Sequence, residues 1–245
     1  MKAEPARQLR LLDLQRVDTR LAQIAHRRAH LPEQEALDVV ASEKSTVDAD
    51  LVHARTDAGD LARALTKAEA DVQLVRDRAA RNQARLDEGT GTPKELTGLQ
   101  HELESLARRQ AELEEDQLEV MMRAEALEGM IAALTTRSAE LESVVAEATR
   151  DRDVARQALD DEAAQLTTER AACEADVGAE LVALYDKIRV HTGVGAAALV
   201  DRHCDGCRLE LLGADYQRVA EAPPDEVVRC EECRRILVRP GRPEN

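Results

Sequence analysis

The stretch Glu88-Gly-Thr-Gly-Thr-Pro-Lys-Glu95 decides how this chain folds. Gly89 suits a helix C-cap, where the backbone turns left-handed. Thr92 can act as the next N-cap, Pro93 takes the first helical position, and Glu95 closes a capping box. One helix therefore stops and another starts within about five residues. So short a connection makes the two helices antiparallel neighbours.

Apolar residues step by three and four on both sides of this turn. Before it come Leu37, Val40, Val47, Leu51, Ala54, Ala58, Leu61, Leu65, Ala68, Val72, Val75, Ala79 and Leu86, and only Lys44 and Asn82 interrupt the seam. After it come Leu96, Leu99, Leu103, Leu106, Leu113, Val120, Ala124, Leu127, Ile131, Leu134, Leu141 and Val145, with Gln110, Gln117 and Ser138 in the remaining places. A heptad pattern held this long on both arms predicts a coiled coil. Folding at the turn pairs residues 31–86 with 95–150. An earlier segment, with Leu14, Val17, Leu21 and Ile24 in step, then falls beside 151–178. Pro32 predicts a break or kink near residues 29–33. The expected fold is mainly α: a long antiparallel coiled-coil hairpin over residues 1–190, turning at about 88–93, followed by a small β-rich domain over 191–245. In that second part, Ala196–Val200 and Ile236–Val238 read as short strands.

Composition agrees with a narrow helical seam. Among 245 residues there is no Phe and no Trp, and Tyr185 and Tyr216 are the two tyrosines. A globular core usually takes its bulk from aromatics, whereas a helical pair needs only Leu, Val and Ala. The formal net charge is −15, of which residues 1–203 carry −13. An acidic rod does not attract nucleic acid or anionic membrane. The first twenty-odd residues lack an apolar signal region, and no stretch approaches the roughly 18 apolar residues of a membrane span. The expected location is the cytoplasm, where paired C-x-x-C motifs indicate metal or redox chemistry rather than disulfides.

Those motifs are Cys204-Asp-Gly-Cys207 and Cys230-Glu-Glu-Cys233. Two-residue spacing lets both sulfurs of a knuckle face one ion, and two knuckles complete a tetrahedral shell. The predicted cofactor is a single structural Zn²⁺ held by Cys204, Cys207, Cys230 and Cys233. Redox dithiols would want a βαβ context that the sequence does not offer. A closed shell leaves no position for water, so zinc catalysis is not expected, and no phosphate loop or nucleophile–base pair suggests another enzyme activity. The metal is expected to supply the folding energy of about forty residues that lack a core. His203 reads as an exposed neighbour of the shell, and Cys173 as a small apolar side chain of the helical seam.

With these residues in view, the chain resembles the bacterial C4-type zinc-ribbon proteins with a long N-terminal coiled-coil hairpin. Three stretches carry the resemblance: Thr92-Pro-Lys-Glu-Leu-Thr-Gly-Leu-Gln-His-Glu102, Arg109-Gln-Ala-Glu-Leu-Glu-Glu-Asp116 with Met121, and Val228-Arg-Cys-Glu-Glu-Cys-Arg-Arg-Ile-Leu237. The first is similar to the family's P-K-E-hydrophobic-x-x-L-x-x-E, the last to its C-x-x-C-G-R-I-L. Arg234 departs from it, standing where the family usually has glycine, which predicts a slightly strained knuckle. The resemblance implies nucleic-acid binding, and relatives in flagellated bacteria are implicated in flagellar gene expression through an alternative sigma factor and mRNA.

Two functions follow as expectations. The first is a non-enzymatic adaptor that contacts protein partners in gene expression through the hairpin or the ribbon. The hairpin tip, Asp87, Glu88, Lys94 and Glu95, is one candidate contact. The alternative is RNA or DNA binding at the basic end of the ribbon, through Arg208, Arg229, Arg234, Arg235 and Arg239, with Arg242 beyond them. Against that alternative stand Glu231 and Glu232, the two net negative charges of a four-thiolate zinc centre, and the scarcity of stacking aromatics. Neither a small-molecule substrate nor a membrane is implied.

Overall fold

The computed structural model describes residues 1–240, so Arg242 lies outside the described residues. The chain forms two compact units, Met1–Glu35 with Arg150–Asn245, and Ala36–Thr149. Helix α1 spans Pro5–Ala29, α2 Pro32–Asp87, α3 Pro93–Val177, and α4 Ala179–Thr192. The break expected near residues 29–33 lies at His30 and Leu31, immediately before Pro32.

The unit Ala36–Thr149 is a two-helix antiparallel pair. Every predicted seam residue of α2 and α3 in this unit is buried or half-buried, including Lys44, Asn82, Gln110, Gln117 and Ser138. Val72, Val75 and Leu113 form one buried cluster across the pair. Arg76 meets Glu114 at 2.6 Å, Arg137 meets Glu43 at 2.5 Å, and the Ser138 hydroxyl donates to Asp48 at 2.5 Å. Each step up α2 is thus matched by a step down α3, the register set by folding at residue 90. The turn carries the predicted caps. Gly89 has φ +66°, and the Thr92 N–H and hydroxyl donate to Glu95 at 2.7 and 2.8 Å. The backbone N–H of Thr92 and then its hydroxyl hold the Glu95 carboxyl below the usual carboxylate range.

In the other unit, α1 packs against the last part of α3 in the same sense: Arg20 meets Glu162 and Arg10 meets Asp176. Gly178, at φ +91°, then separates α3 from α4, a break the apolar periodicity did not reveal. After α4 come strand β1 (Ala196–Val200), β2 (His203–Cys204), helix α5 (Gly213–Glu221), β3 (Val228–Arg229) and β4 (Ile236–Val238). The sheet order is β2-β1-β4-β3, with β1 parallel to β4 and the other pairs antiparallel. The N-terminus joins this region: the Val227 N–H donates to Met1 O at 3.1 Å, and the Ala3 N–H to Asp225 O at 2.8 Å.

Alternation along the strands divides the sheet between two cores. Ala196, Ile236 and Val238 face Leu11, Leu14, Cys173, Val177, Leu181, Tyr185 and Ile188 of the helices. Ala197, Val228 and Leu237 face Leu211, Val219, Cys204 and Cys230. The ribbon therefore has apolar cores on both faces, which corrects the expectation of forty residues without one. Fully burying a side chain such as Leu11 or Ile236 stabilises by about 1.5–3 kcal/mol, so zinc is not the sole source of order here.

A buried polar network locks the same helices together. Asp18 is 1% exposed and takes a hydrogen bond from Arg170 Nε at 2.7 Å and one from the Tyr185 hydroxyl at 2.8 Å. Gln15 Oε1 lies 3.1 Å from that hydroxyl and accepts the Gly195 N–H at 2.7 Å. Burial, then the bond to Asp18, pushes the Tyr185 hydroxyl above its ordinary range, so it stays a donor. A Cβ at Gly195 would stand 2.5 Å from the Tyr185 ring, so only glycine lets β1 start there.

Candidate metal centre

The two knuckles have the same backbone. In the first, the Arg208 N–H donates to Cys204 O at 2.7 Å and the Cys204 N–H to Leu209 O at 3.0 Å. In the second, the Arg234 N–H donates to Cys230 O at 2.9 Å and the Cys230 N–H to Arg235 O at 3.0 Å. This turn requires a left-handed residue just after the second cysteine, and Arg208 and Arg234 both sit at φ +61°. The strain expected from an arginine in the glycine position is thus present, and it occurs in both knuckles. Gly206 answers a different demand. A Cβ there would lie 2.8 Å from Arg235 Cδ and 2.9 Å from Ala197 Cβ.

The four Sγ atoms lie within 4.8 Å of one another, Cys204 to Cys233 at 3.8 Å and Cys207 to Cys230 at 3.9 Å. Zn–S bonds of about 2.3 Å in a tetrahedron require sulfurs about 3.8 Å apart, so the donor set fits one structural zinc. Burial pushes the Cys204 thiol up to about 12, partly offset by the N–H groups of Cys207 and Gly206 aimed at its sulfur. Cys230 is raised by burial in the same way. Cys233 is half-buried; its partial burial acts upward, yet the Arg235 N–H and the neighbouring thiols bring it below its ordinary value. When bound, zinc displaces these thiol protons and cross-links the two knuckles. His203 is exposed, lies outside the cluster, and its Nδ1 is 2.8 Å from Asp201 O. Cys173 is 4% exposed in the helical core, where burial raises its thiol pKa.

The predicted basic patch does not assemble as one surface. Arg235 turns its guanidinium inward, donating to Gly206 O at 2.5 Å, Thr192 O at 3.2 Å and Val194 O at 3.3 Å. Arg239 donates to the carbonyls of Val219 and Ala222 at 3.1 and 2.8 Å, and to those of Pro223 and Glu226 at 2.8 and 2.9 Å. Carbonyls left free at the ends of α4 and α5 attract these cations more strongly than solvent does. Arg208, Arg229 and Arg234 remain exposed. Arg229 Nε donates to Arg234 O at 2.7 Å, and Arg234 pairs with Glu231 at 3.2 Å. At the hairpin tip, Glu95 is taken up by the capping box and Asp87 accepts from Gln83 at 2.8 Å, while Glu88 and Lys94 stay exposed.

Sequence reasoning missed Gln15, Asp18, Arg170 and Tyr185. Their one available signal was polar residues among apolar ones on α1 and a lone tyrosine on α4.

The CT398-like coiled coil hairpin domain matches residues 14–193, and the C4-type zinc ribbon domain matches residues 203–237. A protein of Mycobacterium tuberculosis is 36% identical over 239 residues, 98% of each chain. A solved structure from Mycobacterium smegmatis superposes with TM-score 0.86 at 39% identity, covering 98% of this chain and 100% of that one. The structure of CT398 from Chlamydia trachomatis shares the fold with TM-score 0.75 at 17% identity, over 95% of this chain and 97% of that one. Among the described residues, no helix is long and apolar enough to cross a membrane. The hairpin match covers well over half of the chain and the ribbon match takes in both two-cysteine knuckles, so the chain belongs to the family with a CT398-like coiled-coil hairpin and a C4-type zinc ribbon.

Proposed function

We propose that the protein is a non-enzymatic adaptor of the cytoplasm. In this reading residues 1–190 present a hairpin to protein partners in gene expression, and residues 191–245 form a zinc-stabilised ribbon domain with Cys204, Cys207, Cys230 and Cys233 as ligands. The observation that carries it is apolar surface on α3: Leu118, Met121, Met122 and Met130 are 57%, 46%, 63% and 56% exposed. Two helices can bury only one stripe each, so these side chains are left exposed around the outside of α3, with Leu118 and Met122 one turn apart on a common face. Methionines adapt their shape to what they touch, which suits a protein-contact surface. A closed four-thiolate shell supports a structural rather than catalytic metal. The exposed tip residues Glu88 and Lys94 are a lesser candidate contact.

The test is affinity purification from the native cell, with and without nuclease, using wild type and a Leu118→Glu, Met122→Glu variant. Nuclease-resistant partners that the variant loses, at unchanged zinc content, are expected. Identical partner sets for both proteins would reject the α3 surface.

A second reading is nucleic-acid binding, favoured by the equivalent placement of exposed Arg208 and Arg234 after the two knuckles, with Arg229 beside them. Contacts of this kind go mainly to phosphates, so affinity should fall steeply with salt. Single-stranded RNA bound equally by wild type and an Arg208→Glu, Arg234→Glu variant at low salt would reject it.

A further inference from the structure

The geometry points to a binding site for a small phosphate monoester at the break between α1 and α2. Pro32 stops one helix from running through, and His30 and Leu31 leave the helical path. Leu31 turns inward to 6% exposure against Ile24 and Leu159. Beside it the seam opens into a cavity of about 300 Å³, lined by Arg28, Arg152, Arg156, Gln34, Asp160 and the apolar floor of Leu31 and Leu159.

Three guanidinium groups around one concavity stand out in a chain of net charge −15. Asp160 neutralises Arg28 by direct ion pairing. Arg152 Nη1 donates to Gln34 Oε1 at 3.0 Å. Its Nε lies 2.7 Å from Asp153 Oδ1 without the alignment to donate, and is buried without a hydrogen-bond acceptor. Asp153 balances the charge of Arg152 but leaves its Nε–H without an aligned acceptor. Arg156 is exposed and has no ion-pair partner among the described residues. Residues 152 and 156 are one helical turn apart on α3, so both reach the same opening.

The planar forks of arginine match the oxygens of phosphate, and the first turn of α2 brings the positive end of its dipole. Glu33 and Glu35 in that turn oppose the ligand's charge and limit affinity. A cavity of this size sits at the small end of ligand pockets, so it takes a small molecule rather than a polymer. The leucine floor suits the organic part of an ester.

The test uses the full-length, zinc-loaded protein at low salt. Inorganic phosphate and phenyl phosphate are titrated by calorimetry and by the NMR signals of the arginine Nε–H groups. Saturable binding of both is expected, tighter for phenyl phosphate, with Arg152 Nε shifting. Arg156→Ala removes no internal ion pair, so the fold should stand while affinity falls at least tenfold. Arg63→Ala, on the other unit, should leave binding unchanged. Failure of both ligands to saturate, or an Arg156→Ala affinity within twofold of wild type, overturns the proposal.

Discussion

Replacing Arg235 by alanine should destabilise the protein, although the residue reads as part of a surface patch. Its guanidinium spans Gly206 O in the first knuckle and Thr192 O and Val194 O at the end of α4, at 2.5, 3.2 and 3.3 Å. Hydrogen bonds from a charged donor are worth about 1.5–3 kcal/mol each. The side chain is half-buried, and the longer two bonds are near the limit of good geometry. Water can replace part of what is lost, so the sum reduces to about 2–4 kcal/mol. Loss of the stem that packs on Gly206 acts in the same direction. Arg235→Lys should recover only part, since one ammonium cannot span three carbonyls. The assay is urea denaturation of the zinc-loaded chain, followed by the fluorescence of its two tyrosines, Tyr185 and Tyr216. Arg234→Glu is the control: Arg234 itself is exposed, and this substitution should move stability by less than about 1 kcal/mol. If Arg235→Ala and Arg234→Glu gave equal stabilities, the clamp reasoning would be refuted.

Removing zinc with a chelator should speed amide exchange in α1 as well as in the ribbon, because the sheet and α1 share one core; unchanged protection of Leu11 and Leu14 would contradict this. Tyr185→Phe should cost about 1–2 kcal/mol through the lost bond to Asp18, and Asp18→Ala about 2–4 by removing the acceptor of both Arg170 Nε and the Tyr185 hydroxyl while Arg170 keeps Glu174 and Asp186, both read by denaturant midpoint. Gly195→Ala should cost about 1–3 kcal/mol, because its methyl overlaps the Tyr185 ring; a thermal midpoint equal to wild type would sink that reading. Cysteines placed at Val72 and Leu113 should cross-link within one chain, and a denaturing gel showing only dimers would count against the hairpin.

What the sequence determined by itself is whatever depends on spacing along the chain. The seam from Leu37 to Leu86 and from Leu96 to Val145, the caps around Gly89 and Thr92, and the break before Pro32 are local or periodic features. Each is a property of a helix's own geometry. The four-cysteine shell was legible for the same reason, since two C-x-x-C turns can make little else. Even the strain at Arg234 was readable, because the knuckle imposes its backbone angle on whatever residue stands there.

Tertiary structure alone decided which polar groups face inward. Nothing in the run Arg234-Arg235 tells an exposed guanidinium from a clamp; the answer depends on carbonyls forty residues away at Thr192 and Val194. Gln15 and Asp18 are polar residues of α1 that turn inward only because Tyr185 and Gly195 are brought against them. The ribbon's second core was hidden likewise, because Ala196, Ile236 and Val238 gain their apolar partners only from three separate helices. Periodicity reports the face a helix or strand must bury, whereas the choice among distant partners is made by packing.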